Sequence, residues 1–94
     1  MRIQNETTKQ ALIARLRRIE GQVAGIQRMI EEERSCHEIL QQLSAVRAAL
    51  YSTSVELVRA YATQCVQDPS GDIPPEEMIE NIITALSRVS RKAD

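Results

Sequence analysis

The sequence predicts an all-α protein, built from a three-helix protomer that pairs with a second copy as an antiparallel helical dimer. Apolar residues recur at alternating steps of four and three, a helical pattern that strands do not make. The 94 residues include two Tyr but no Phe and no Trp, so Leu, Ile, Val and Ala must fill the core. Such a core indicates that one chain alone buries too little apolar surface. We expect one domain over residues 1–94, with helices at about 7–33, 36–68 and 74–91.

The first predicted helix follows a polar tail, Met1 to Glu6. Thr7 and Gln10 have the spacing of a capping box, which predicts the helix start. Gly21 and Gly25 lie four residues apart inside the helix, and we interpret them as a point where a neighbouring helix approaches closely. The predicted core stripe of this helix is Leu12, Leu16, Ile19, Val23, Ile26 and Ile30.

The second predicted helix begins at Cys36, because Ser35 can act as N-cap and Glu38 completes a second capping box. Its interior holds no Gly and no Pro. The run Ser52 to Ser54 is a weak point at which the helix could bend. The predicted core stripe is Ile39, Leu43, Val46, Leu50, Leu57 and Tyr61.

The two cysteines lie near opposite ends of this second helix. At 1.5 Å per residue, Cys36 and Cys65 are separated by roughly 43 Å along the axis. One straight helix cannot bring them together. If they form one site, two helices must lie antiparallel, with a two-fold axis near Leu50 and Tyr51.

The third predicted helix follows the run QDPSGDIPP, from Gln67 to Pro75, which ends the second helix. Pro74 or Pro75 suits its first turn. Acidic residues, Asp72, Glu76, Glu77 and Glu80, gather around its start, and basic residues, Arg88, Arg91 and Lys92, suit its end. Its predicted apolar face is Ile79, Ile82, Ile83, Leu86 and Val89.

Composition excludes several classes of protein. The net charge is −1, so charge alone does not indicate a nucleic-acid-binding protein. Two cysteines make no secreted disulfide framework, and neither a signal peptide nor a stretch long enough to span a membrane is visible. We expect a cytoplasmic protein with reduced thiols and no membrane partner. No Ser/His/Asp set, Gly-rich phosphate loop or buried carboxylate pair is found, so an enzyme is not expected.

Cys36 is the most informative candidate for chemistry. The first turn of a helix favours an anion, so thiolate character is expected at Cys36, although a buried, inert cysteine is an equally ordinary interpretation. For Cys65 alone, the simpler interpretation is a cysteine of the core. For His37, it is a solvent-exposed residue of the first turn. Zinc needs a closer cluster of ligands than this chain has, whereas Cu(I) can use two thiolates. Tyr61, four residues before Cys65, is expected to pack rather than to bind metal.

A basic surface is predicted on the first helix. Arg15, Arg18 and Gln22 share a face beside the apolar stripe, and Arg17 is near. An ordinary solvated face is the simpler interpretation, since no familiar DNA-reading motif is visible. Arg47 and Arg59 on the second helix could extend the positive surface in an oligomer.

The run RLRRIEGQVAGIQRMIEEERSCHEILQQLSAVRAAL, Arg15 to Leu50, closely resembles the copper-sensing operon repressors (CsoR, RcnR and their relatives). The likeness extends through Cys65 into the third helix. It implies a bacterial transcriptional repressor that assembles as a dimer of dimers, a homotetramer. It further implies that Cys36 and Cys65 are the sensing thiols. By the same resemblance, operator DNA is contacted by Arg15, Arg17, Arg18 and Gln22, with Arg47 joining them.

Departures from the family pattern indicate the subtype. The copper sensors have a His where this chain has Tyr61. They also have outer-shell partners of the metal site, a Tyr and a Glu, where this chain has Ser35 and Asn81. The nickel and cobalt sensors need further His ligands, including one near the start, where Ile3 and Gln4 stand. The formaldehyde sensors usually lack the second cysteine. Two cysteines without the histidine are similar to the persulfide-sensing (CstR-like) branch.

The resemblance therefore predicts a repressor of sulfide-detoxification genes, without cofactor, that releases DNA when reactive sulfur species link Cys36 to Cys65 of the partner subunit. A Cu(I)-responsive repressor using the same two thiolates is the alternative. A thiol-based sulfur-carrier enzyme and an interaction bundle with inert cysteines are more remote possibilities.

Overall fold

The three helices follow from local signals at their ends. The computed structural model describes Ile3, residues 5–67 and residues 74–90, and it describes Cys65, Pro75, Val89 and Ser90 by backbone alone. The helices are α1 (Glu6–Glu31), α2 (Cys36–Gln67) and α3 (Pro75–Ser90), which confirms the predicted three-helix, all-α protomer. The centre of the QDPSGDIPP run, Asp72 included, and Arg91 and Lys92 lie outside the described residues, as does Gln4.

Helix α1 begins earlier than predicted. Asn5 is its N-cap: the Oδ1 atom of Asn5 accepts from the Thr8 backbone N–H at 3.0 Å. The prediction of a cap at Thr7 was wrong, because Asn5 already satisfies a free N–H of the first turn and Thr7 lies inside the helix. Gln10 instead donates to the Glu6 carboxylate one turn before it, at 3.0 Å.

A tight turn joins α1 to α2. The Glu33 N–H donates to the Ile30 carbonyl at 3.1 Å, and the Arg34 N–H donates to the Met29 carbonyl at 2.9 Å. This pair of bonds is a Schellman motif, which requires a left-handed residue after the helix. Glu33 takes that conformation with φ 57°, so α1 ends at Glu31, before the acidic run is complete.

Helix α2 begins as the sequence predicts. The Ser35 hydroxyl accepts from the Glu38 N–H at 3.2 Å. The Glu38 carboxylate does not complete the box but pairs with Arg34 at 2.6 Å. The helix then runs without interruption through Ser52 to Ser54, where the hydroxyls of Thr53 and Ser54 donate to carbonyls one turn back, at 2.8 and 3.0 Å. The suggested bend does not break the helix.

Helices α1 and α2 form an antiparallel pair. Residues spaced by seven on each helix meet between them: Leu12, Ile19 and Ile26 on α1, and Ile39, Val46 and Thr53 on α2. Helix α3 packs against α2, and no contact joins α3 to α1 among the described residues. The molecule is consequently one layer of helices, 55 × 31 × 13 Å.

A single layer leaves half of the predicted core stripes exposed. Six residues, each four positions after a residue that packs between the helices, are 42–58% exposed. In antiparallel helices this offset places them on the same side of the pair. We call them the apolar face: Leu16, Val23 and Ile30 on α1, and Leu43, Leu50 and Leu57 on α2. On α3, Ile79, Ile83 and Leu86 are also exposed.

The two glycines of α1 do not mark a helix contact inside the protomer. Within the described residues, no atom lies within 4 Å of a Cβ built at Gly21, and only the Arg28 side chain, at 3.9 Å, approaches Gly25. The predicted close approach was wrong for a single chain, because α2 packs on the Leu12–Ile19–Ile26 side of α1. No helix of the described residues is long and apolar enough to cross a membrane.

Candidate functional site

Cys36 is the first residue of α2, and its side chain is exposed. The Ser35 cap fixes the start of the helix, so the free N–H groups of the first turn lie beside the thiol. These groups and the helix dipole favour a negative charge there. His37 is exposed next to it. Cys36 is therefore accessible to a reactant in solvent, at the positive end of the α2 dipole.

Cys65 lies near the other end of α2, and its side chain is outside the described residues. The helical register still relates the two cysteines. Leu43, Leu50 and Leu57 follow Cys36 at steps of seven, and the next step falls on Gln64, adjacent to Cys65. Both cysteines thus flank one apolar seam, centred near Leu50, at a separation of roughly 43 Å within one chain.

Tyr61 and Asn81 join α2 to α3. The Asn81 side-chain amide donates to the Tyr61 hydroxyl at 3.4 Å, a long hydrogen bond. The structure therefore brings together two of the four residues predicted near the sensing thiols. Ser35 and His37 stand at the opposite end of α2, beside Cys36.

The described residues contain no group of three or more His, Cys, Asp or Glu side chains that could hold a metal ion. Close to Cys36 in sequence, the Glu38 carboxylate is paired with Arg34.

An open recess of about 230 Å³ lies between α1 and α2. Its polar residues are Arg15, Arg18 and Gln22 from α1 and Ser52 from α2, above Ile19, Ala49 and Thr53. Arg15 donates to the Ser52 hydroxyl at 3.1 Å. We call this the basic recess. Its residues precede the buried positions, so it lies on the side of the helix pair opposite the apolar face.

The recess gathers three of the predicted DNA-contacting side chains, and two lie elsewhere. Arg17 is exposed and does not line it. Arg47 is also exposed and stands between Leu43 and Leu50 on α2, beside the apolar seam. Arg59 is 3.9 Å from Glu56. Sequence reasoning missed Ser52, because its contact depends on the register between two helices and leaves no local signal.

Fold and site together define a class of protein: a small all-α chain with an arginine-lined recess on one side and an exposed thiol beside an apolar face on the other. The sequence profile described as "Metal-sensitive transcriptional repressor" matches residues 8–88. The chain therefore belongs to this family, the CsoR/RcnR repressors, and it is a transcriptional repressor rather than an enzyme.

Individual relatives of the chain are also transcriptional repressors of this family. The chain is 37% identical over 83 residues to the copper-sensing transcriptional repressor CsoR of Bacillus subtilis (strain 168), covering 88% of this chain and 82% of that protein. It is 32% identical over 78 residues to the repressor RcnR of Citrobacter koseri, covering 83% and 87%. Among solved structures, the nickel-responsive regulator InrS superposes with a TM-score of 0.72 at 29% identity, covering 95% of this chain and 97% of that one.

Proposed function

We propose that this repressor senses reactive sulfur species through Cys36 and Cys65 of two subunits, and that it then releases operator DNA and derepresses sulfide-detoxification genes. The observation that carries the proposal is the exposed Cys36 at the start of α2, at one end of an apolar seam whose other end holds the second cysteine. A repressor acting on DNA works in the cytoplasm, where thiols stay reduced until a sulfur donor arrives.

The open apolar face supports a dimer. The accessible surface is 7515 Å², whereas a folded monomer of this mass, 10.6 kDa, is expected to expose about 5500 Å². A surface larger than that of a compact monomer is expected of a protomer whose apolar face is covered by a second copy. An antiparallel α2 pair centred near Leu50 would cover the seam and bring each Cys36 to the partner's Cys65. The exposed residues Ile79, Ile83 and Leu86 of α3 offer a surface for joining dimers into a tetramer.

The chemistry is thiol exchange. The Cys36 thiolate attacks the outer sulfur of a polysulfide, forms a persulfide, and displaces the shortened polysulfide. The thiolate of Cys65 of the partner subunit then attacks the Cys36 sulfur and expels hydrosulfide, which leaves a disulfide. Capture of additional sulfur before this step gives a tri- or tetrasulfide link. The sulfur donor is reduced as the two thiols are oxidised, so no other oxidant is needed.

The proposed link acts on DNA binding through the helix pair. Cross-linked α2 helices hold the subunits in one relative arrangement, and a ligand shifts an equilibrium by its preference between two states. Arg15, Arg18 and Gln22, in the basic recess, are proposed to contact the DNA backbone, with Arg17 beside them and Arg47 as a further candidate. Because α2 contributes both the seam and Ser52, a change in its packing reaches the recess.

A Cu(I)-responsive repressor using the same two thiolates is the second candidate. It is favoured by relatives: besides CsoR, the copper-sensing repressor RicR of Mycobacterium tuberculosis (strain H37Rv) is 52% identical over 52 residues, covering 55% of this chain and 54% of that protein. Two thiolates suit Cu(I), which tolerates low coordination numbers. Tyr61 supplies a phenol hydrogen-bonded to Asn81, which is a poor ligand for a soft ion.

Treating the reduced protein with inorganic polysulfide, followed by non-reducing electrophoresis and mass spectrometry, tests the proposal. We expect a cross-linked dimer carrying two Cys36–Cys65 links, with loss of gel shift on the chain's own upstream DNA. Cys36→Ala should abolish both effects, and Cys65→Ala should abolish the link but retain a persulfide on Cys36. An unlinked product, or full release of DNA by Cys36→Ala, would rule it out. Tight Cu(I) binding against a competing chelator, with release of DNA, would favour the second candidate.

A further inference from the structure

Ser52, Thr53 and Ser54 of α2 carry aliphatic hydroxyl groups, and these hydroxyls make two kinds of hydrogen bond. Thr53 and Ser54 donate to the carbonyls of Ala49 and Leu50, one turn back on their own helix. The hydroxyl of Ser52 instead accepts from the Arg15 guanidinium on α1, at 3.1 Å. This contact joins positions 37 residues apart, so it depends on the tertiary fold.

The contact orients Arg15 without neutralising it. A serine hydroxyl is a neutral acceptor, whereas Asp or Glu at the same place would cancel the charge. Among the described residues, the arginines paired with a carboxylate are Arg34 and Arg59, so no carboxylate there competes with an anion for Arg15. A guanidinium has five N–H donors, and one bond to Ser52 leaves four for a bidentate contact with an anion.

The surroundings suit a phosphate. Arg18 and the Gln22 amide line the same open recess, so two positive charges and an amide donor face one site that is large enough to admit a phosphate group. Arg15 is half-buried against the helix pair, while Arg17 and Arg18 are exposed. A long side chain loses considerable rotamer entropy when it binds, and a prior bond to Ser52 removes part of that cost before the anion arrives.

We propose that Ser52 is a positioning residue: it holds Arg15 over the basic recess so that Arg15, Arg18 and Gln22 clasp one phosphate of the DNA backbone. This inference rests on the proposed DNA-binding role of the recess. It adds a residue from α2, the helix that carries both sensing cysteines, to the surface that contacts DNA. Rotation or translation of α2 against α1 would break the Ser52–Arg15 bond and release the clasp.

The experiment compares Ser52 with Ser54, a matched control two residues away whose hydroxyl donates to the Leu50 carbonyl of its own helix. DNA affinity is measured as a function of salt for Ser52→Ala, Ser52→Thr, Ser52→Asp, Ser54→Ala and Ser44→Asp, with helicity and oligomeric state checked for each. Ser52→Ala keeps every charge, so we expect roughly fivefold weaker binding with an unchanged slope of log K against log salt. Ser52→Thr retains the hydroxyl and restores the affinity.

Ser52→Asp separates orientation from charge. Its carboxylate still holds Arg15 but neutralises it, so binding should fall by about tenfold beyond Ser52→Ala, and the salt slope should flatten by about 0.9 for each recess engaged. Ser44→Asp adds the same charge at an exposed site eight residues before Ser52 on α2, and it should change the slope far less. If Ser52→Ala matches Ser54→Ala in affinity, or weakens binding only together with helicity or assembly, the inference is wrong.

A second measurement distinguishes this failure from failure of the proposed function. Inorganic phosphate is titrated into the isotope-labelled protein, and the side-chain N–H signals of Arg15 and Arg18 are followed by NMR. One outcome is that phosphate shifts these signals in the wild type but not in Ser52→Asp, while the wild type does not bind DNA. That outcome would refute the DNA-binding role but support phosphate binding by Arg15, Arg18 and Gln22. Absence of both responses would refute the two together.

Discussion

Glu33 shows how much a single residue can strain a short connection. The turn between α1 and α2 needs a left-handed residue after the helix, and the sequence supplies Glu33 with φ 57° instead of Gly or Asn. For an L-residue with a Cβ, this region costs roughly 1–2 kcal/mol. The same turn places Ser35 at the start of α2, and hence fixes the position of Cys36.

We therefore expect Glu33→Gly to raise the free energy of unfolding by about 0.5–1 kcal/mol, since Gly adopts this conformation without steric cost but loses more entropy on folding. Urea unfolding followed by circular dichroism measures it at fixed protein concentration. Glu32→Gly is the control: Glu32 has an ordinary φ of −84°, so Gly should destabilise there. Equal effects at both positions would contradict the role given to Glu33.

The hydrogen-bond partners of two hydroxyl side chains, those of Tyr61 and Ser52, also differ from what their spacing in the sequence suggests. Tyr61 reads from sequence as a packing residue, yet its hydroxyl accepts from Asn81 on α3. Ser52 reads as part of a weak point in α2, yet it contacts Arg15 on α1. Each bond depends on where a second helix lies.

At the scale of the elements, the helix ends are determined by their caps. Ser35 was identifiable because its hydroxyl precedes a long uninterrupted helical segment. Two residues compete at the start of α1, Asn5 and Thr7, and the spacing of Thr7 to Gln10 pointed to the wrong one. Asn5 caps the helix because its side chain reaches the Thr8 N–H while its own backbone remains extended.

Asn5→Ala should consequently destabilise the protein by about 1 kcal/mol, the usual cost of losing an N-cap. Thr7→Ala, inside the first turn, should change stability by less than about 0.5 kcal/mol. Thermal unfolding followed by circular dichroism at 222 nm compares the two variants with the wild type. If Thr7→Ala lowers the unfolding temperature more than Asn5→Ala does, Thr7 rather than Asn5 is the N-cap of α1.

At the scale of the whole molecule, thinness is the dominant property. The three helices form one layer 13 Å deep, so within the described part of the chain both faces of the layer lack a covering helix. One side of the α1–α2 pair carries the basic recess, and the other carries the apolar face. Burying the apolar face against a second copy would leave both recesses outside, available to a long polyanion.

We expect Leu50→Lys to dissociate the oligomer, because two positive charges would meet near the proposed two-fold axis in place of two leucines. Sedimentation velocity should show a species of lower mass, with faster loss of structure on heating. Ala48→Lys is the control, since Ala48 is exposed on the far side of α2 and should leave the assembly unchanged. An intact oligomer in Leu50→Lys would place the interface elsewhere.

The sequence by itself determined the three helices, the start of α2 and the separation of the cysteines, because periodicity, capping and the rise of a helix are local properties. Its resemblance to the repressor family was also specific enough to give the class of protein. Only the tertiary structure decided which half of each apolar stripe packs between α1 and α2, which arginines share a recess, and that Ser52 and Asn81 contact other helices. These features depend on the relative rotation and register of the packed helices. Small differences in side-chain contacts over the whole interface determine that rotation and register, and no local sequence pattern encodes them.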